Sequence, residues 1–114
     1  EPNFRRNFIH VRDVADGIIF AMKNFQKLRG NVYNLGLSSA NITKLQLAKK
    51  IKKFHSSLVI KIKNNKKDPD KRDYFVSNKK IEKAGFFGST TLETGINEMI
   101  TIFKNSKINY NNNY

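Results

Sequence analysis

The sequence predicts an α/β chain of the α+β kind, with short strands and three to four helices. Three observations carry that reading. A β-prone apolar run at residues 8–11 gives way to helical spacing from Arg12 onward. A Thr followed three residues later by Gln or Glu occurs twice ahead of an apolar stripe, at Thr43 with Gln46 and at Thr90 with Glu93. Glycines at 30, 85 and 88 and the single interior proline, Pro69, punctuate short connections. At 114 residues the chain holds one core at most, with roughly two-thirds of its unfolded surface removable from water.

The elements follow in order. Residues 8–11 read as a short strand, and Val14, Ile18, Ala21, Met22 and Phe25 place an amphipathic helix over 12–27. Asp13 is suited to the first turn of that helix, where a carboxylate meets open amides and the positive dipole end. Gly30 can take positive φ and close it. Residues 32–36 read as a second strand, and the polar stretch 37–41 leads to the Thr43 capping box. Leu47, Ile51 and Phe54 then stripe a helix over 44–54, with Lys49, Lys50, Lys52 and Lys53 on its other side. Residues 58–62 are strand-like, 64–73 form a loop and 74–76 are extended. Ser77 or Asn78 caps a short helix that ends at Gly85. Leu92, Ile96, Met99, Ile100 and Phe103 stripe the last helix, and the Asn- and Tyr-rich residues 106–114 are expected to be disordered. Strands this few and short need further material to pair with or pack against, and the opening residues read as a cut inside a larger protein.

Charge and composition bound the function. The net charge of +13 could draw phosphates, and nucleic acid is the first partner to weigh. However, 17 of the 22 basic residues are Lys and 15 residues are Asn, the joint enrichment that an A/T-rich coding background produces. Nucleic-acid surfaces add Arg and stacking aromatics, whereas only five Arg occur and most Phe fall at apolar positions. The expectation is therefore no nucleic-acid partner; a small basic nucleic-acid-binding module using the Lys49–Lys53 face stands as the alternative. The longest apolar run covers only residues 18–22, and no signal peptide is evident, so no membrane association and a cytoplasmic location are expected. Without cysteine there is neither a disulfide framework nor a thiolate metal site. His10 lacks partners spaced for a metal or a triad and reads as a packed, half-buried residue, and Asn34 as a side chain tying strand to loop.

Four segments, taken together, resemble extended short-chain dehydrogenases/reductases, specifically the C-terminal half of nucleotide-sugar epimerases and dehydratases. They are Arg6-Asn7-Phe8-Ile9-His10-Val11-Arg12-Asp13-Val14-Ala15, Gly30-Asn31-Val32-Tyr33-Asn34-Leu35-Gly36, Thr43 to Ala48, and Asp68 to Gly95. The last of these includes Asp68-Pro69-Asp70-Lys71-Arg72, Ala84-Gly85-Phe86 and Leu92-Glu93-Thr94-Gly95. No one motif is diagnostic; their order and spacing carry the likeness, which spans residues 4 to about 104.

The resemblance implies that residues 1–105 are the C-terminal substrate-binding subdomain of an extended Rossmann-fold enzyme, bound to a nucleoside-diphosphate sugar. It implies NAD or NADP, held mainly by an N-terminal Rossmann domain through a glycine-rich turn at a helix N-terminus. It implies acid/base chemistry by a Tyr-x-x-x-Lys pair in that domain and a possible homodimer of the whole protein. Neither the glycine fingerprint nor the Tyr-x-x-x-Lys pair occurs in these 114 residues, so the chain alone is expected to be inactive, with no catalytic and no metal-binding residue. The substrate-binding candidates are Arg6, where the family reaches the diphosphate or nucleotide, then Lys67, Asp70 and Arg72, and Ser39 in the turn after the second strand. Arg6 could instead be a solvated strand-flanking residue with Arg5 the functional one, and the 67–72 loop could be merely charged. Lys67 supplies charge without the bidentate fork of Arg, which leaves Arg72 as the phosphate contact in that loop.

Overall fold

The computed structural model describes residues 2–62 and 72–105. Its elements are β1 (Arg5–Asn7), α1 (Val11–Lys23), α2 (Phe25–Leu28), β2 (Asn41–Thr43), α3 (Lys44–Phe54), α4 (Lys79–Ala84) and α5 (Leu92–Asn105), with a 3-10 turn at Ser38–Ala40. The mixed helix and strand composition agrees with an α/β chain, while the helices among the described residues number five because the first expected helix is broken at Asn24. There the Asn24 side chain donates to the Phe20 carbonyl at 2.9 Å, alongside its own backbone amide. A side chain that competes for helix carbonyls in this way favours an end over a continuation.

β1 and β2 pair antiparallel, Arg5 opposite Thr43, Arg6 opposite Ile42 and Asn7 opposite Asn41. Backbone bonds extend this contact outward, from Phe8 to the Ala40 carbonyl and from Lys44 and Leu45 to those of Phe4 and Pro2. The ladder thus falls at residues 5–7 rather than 8–11, and residues 32–36 and 58–62 form no strand. A β-prone segment becomes a strand only where another backbone takes up its amides and carbonyls.

Val11 opens α1, and His10 is its N-cap, accepting the Arg12 amide on Nδ1 at 3.2 Å. Asp13 does not cap this helix. Its buried carboxylate faces the segment before α5, where it accepts from the Ser89 amide and hydroxyl, both at 3.1 Å. It also accepts from the Thr90 amide at 3.0 Å and the Thr90 hydroxyl at 3.2 Å. Consequently Thr91, not Thr90, caps α5, its hydroxyl accepting the Thr94 amide at 3.1 Å. The α3 capping box forms as read, with Thr43 accepting from the Gln46 amide at 3.0 Å and Gln46 answering at 2.8 Å. Gly85 closes α4 in the left-handed region at φ 108° and Gly30 lies at φ 75°.

The small core holds Leu28, Ala40, Ile81, Phe86 and Ile96, with Phe20 tilted against Phe86 at 5.5 Å. Gly17 is where α1 meets the 32–36 segment: a Cβ there would stand 2.8 Å from the Leu35 side chain. The buried side of α1 therefore runs through Asp13, Gly17 and Phe20, and much of its apolar stripe faces outward. Ile18 is 56 %, Met22 73 % and Phe25 60 % exposed.

Candidate functional site

β1 delivers its two consecutive arginines to different partners. Arg5 is bound by Asp73, which accepts the Arg5 amide at 2.7 Å and the guanidinium at 2.7 and 3.1 Å. The hydrogen bond from the Arg5 side chain, followed by that from its amide, holds the Asp73 pKa down at about 2. Arg5 also stacks over Phe75 at 5.4 Å. Arg6 instead donates Nη1 to the carbonyls of Arg5 and Arg72, at 2.7 and 2.6 Å. Its guanidinium carbon lies 5.1 Å from the centre of the Tyr74 ring, and that of Arg72 lies 5.3 Å from the same ring.

Two of the residues read from the sequence, Arg6 and Arg72, thus converge on one aromatic side chain although 66 positions separate them. The strip that carries Arg72 is pinned to the ladder at three places. Asp73 binds Arg5, the Tyr74 amide donates to the Arg5 carbonyl at 3.3 Å, and the Asn41 carboxamide brackets Val76. In that bracket Oδ1 accepts the Val76 amide at 2.9 Å and Nδ2 donates to its carbonyl at 3.0 Å. Ser39 is exposed in the 3-10 turn, and none of the contacts joining Arg6 to Arg72 involves it. Lys67 and Asp70 lie outside the described residues, as does the 106–114 tail.

Tyr74 was legible in the sequence only as part of an extended run. The sequence shows only an aromatic two positions after an arginine, a spacing that lets a ring meet a guanidinium, and nothing local places it beside Arg6. The Asn34 side chain does make a tie, but to the distant segment before α4 rather than from a strand to the following loop, donating Nδ2 to the Ser77 carbonyl at 3.1 Å. His10 is half-buried as expected, but it is a helix cap rather than a strand residue, and Nε2 lies 3.2 Å from Glu98. Glu98 also pairs with Arg12; that hydrogen bond, ahead of the opposing effect of desolvation, lowers its pKa.

A separate apolar groove of about 520 Å³ opens between the 8–11 segment, α3 and α5, lined by side chains such as Phe8, Leu47, Ile51, Ile96 and Met99. Neither Arg6 nor Arg72 lines it, so groove and guanidinium cluster are distinct places. Among the described residues no group of three or more His, Cys, Asp or Glu is placed to hold a metal, and no helix is long and apolar enough to cross a membrane. Nor do they offer a dinucleotide pyrophosphate cradle. The longer helices open at His10, Thr43 and Thr91, without the glycine-rich turn that lets backbone approach a phosphate.

Fold and geometry define an α+β module whose two-stranded ladder gathers guanidinium groups around an aromatic strip. Residues 2–36 match the NAD dependent epimerase/dehydratase family. The match takes in β1, α1, α2 and the segment up to Gly36. It includes Arg6 and ends well before Arg72 and Tyr74, so the convergence of those residues is an observation independent of it.

Proposed function

We propose that the chain is the substrate-binding portion of an NAD(P)-dependent nucleoside-diphosphate-sugar epimerase or dehydratase, and that Arg6 and Arg72 bind the substrate's diphosphate. The observation that carries this reading is their meeting at Tyr74, with Arg6 inside the family-matched segment and Arg72 outside it. Guanidinium groups suit the task because a planar fork of donors meets two phosphate oxygens at once. Lys67 and Asp70, in the same chain segment as Arg72, are further ligand candidates, with Ser39 a weaker one on the nucleotide side.

NAD or NADP would supply transient oxidation of a sugar hydroxyl, and the residues described in this chain do not fit its pyrophosphate. No step through the cofactor is therefore assigned to them. Cofactor binding and acid/base catalysis belong elsewhere in the protein that carries this chain. The part played here is selection and anchoring: the diphosphate is fixed, and the sugar beyond it is presented.

The test is titration of the chain with UDP-, GDP- and CDP-sugars, repeated with Arg6→Gln and Arg72→Gln. Each substitution removes a charge-assisted contact and should weaken the preferred ligand by about tenfold or more. The chain alone should show no turnover. Absence of binding to every nucleotide sugar, or binding indifferent to both substitutions, would overturn the proposal.

A further inference from the structure

We propose that Tyr74 is the positioning residue of the Arg6–Arg72 pair, holding both guanidiniums so that they act on one diphosphate. This deepens the reading above and rests on it. The argument begins with the ring's own anchorage. Tyr74 stands between Asp73, which grips Arg5 through backbone and side chain, and Val76, which Asn41 brackets on both its amide and its carbonyl. The Tyr74 amide is itself bonded to the Arg5 carbonyl. A side chain set between fixed points in this way is a platform rather than a follower of the arginines.

Next comes what the platform does for the cations. An arginine side chain near the surface carries rotamer entropy that must be lost before its fork can meet a phosphate. Stacking two guanidiniums on one ring, at 5.1 and 5.3 Å, removes much of that freedom before any ligand arrives. It also keeps both charges within about a Debye length, roughly 10 Å at 0.1 M salt, where their repulsion is not screened away. The electron-rich π-system of the ring offsets part of that repulsion. An anion carrying two or more charges offsets more, and a diphosphate can engage both forks where a monophosphate meets one well. Arg5, by contrast, pairs with Asp73 and stacks on a different ring, Phe75.

The experiment is calorimetric titration of the full 114-residue chain with inorganic pyrophosphate and with inorganic phosphate, comparing wild type, Tyr74→Phe, Tyr74→Leu, Arg6→Gln and Arg72→Gln. Tyr74→Phe keeps the ring and should bind pyrophosphate within about twofold of wild type, whereas Tyr74→Leu loses two cation–π contacts and should bind about five- to thirtyfold more weakly. Preference for pyrophosphate over phosphate should shrink in the Leu variant and persist in the Phe variant. Loss in both Tyr74 variants would mean that the ring is not the agent and would overturn the inference. Wild-type binding by Tyr74→Leu, with both Arg variants impaired, would overturn it while leaving the diphosphate site standing. Pyrophosphate binding unaffected by either Arg variant would sink the site and the inference together. Should Tyr74→Leu fail to fold, the side-chain N–H resonances of Arg6 and Arg72 in the wild-type chain decide. Ring-current displacement of both is the expected result, and its absence overturns the proposal.

Discussion

At the scale of single residues, Asp13 shows how one carboxylate can organise a distant turn. Burial pushes its pKa upward, but the amides and hydroxyls of Thr90 and Ser89 together outweigh that, and the net displacement is downward. A carboxylate whose pKa is lower folded than unfolded stabilises the fold above its unfolded value, and that contribution is lost as pH falls through the folded one. Thermal or urea unfolding followed from pH 6 to pH 2 should show this acid-side loss, and Asp13→Asn should flatten it. Asp13→Ala leaves the Ser89 and Thr90 donors without their acceptor, and should cost about 2–4 kcal/mol in the same measurement. The sequence put Asp13 at the start of α1, where a carboxylate is locally sensible, but its partners are 76 and 77 positions away and no local pattern names them. Asp73 offers a second pH signature. With its pKa at about 2, its carboxyl should still be ionised at pH 3 in an NMR titration, and Arg5→Gln should return the midpoint toward the ordinary 3.8.

At the scale of elements, legibility tracks how local the determining contacts are. The α3 boundary was readable because Thr43 and Gln46, three positions apart, satisfy each other's backbone. Gly85 closing α4 was readable for the same reason. Residues 32–36 have the β-prone composition of a strand, but they join no ladder and pack against α1, with Leu35 against Gly17. The predictions follow this division. Thr43→Ala should lower stability by about 1 kcal/mol, since it removes only a cap. Gly36→Ala should cost more, about 1–3 kcal/mol by overpacking. A Cβ there would stand 1.8 Å from Asn7 Oδ1 and 2.9 Å from Asn78 Oδ1. The Asn7 carboxamide, which donates to the Leu37 carbonyl, would have to move, and Asn78 is buried. Urea midpoints of the two variants, compared at equal slope, check the order.

At the scale of the whole molecule, two basic surface features among the described residues stand out in a chain of net charge +13. One is the Arg6–Tyr74–Arg72 cluster beside the β1–β2 ladder. The other is α3, where Lys49, Lys52 and Lys53 are exposed and Lys50 pairs with Glu93. They differ in kind. A row of exposed ammonium groups is a diffuse field that attracts any polyanion, and its binding falls linearly in log affinity with log salt, by about 0.9 for each duplex phosphate neutralised. A pair of guanidiniums ordered on a ring is a point of recognition for a compact anion, whose shorter reach involves fewer counterions. The two surfaces should therefore separate under substitution. Replacing Lys49, Lys52 and Lys53 by Gln should weaken binding to a duplex oligonucleotide and reduce its salt slope by up to about 3, leaving pyrophosphate affinity within about twofold. Arg6→Gln with Arg72→Gln should do the reverse, with pyrophosphate binding lost and the oligonucleotide slope lowered by no more than about 2. Fluorescence anisotropy from 50 to 200 mM salt resolves both effects. If instead the Lys variant alone abolished pyrophosphate binding, the net field of the molecule rather than its ordered arginines would be the recognition element, and the small basic nucleic-acid-binding module would become the better account of this chain.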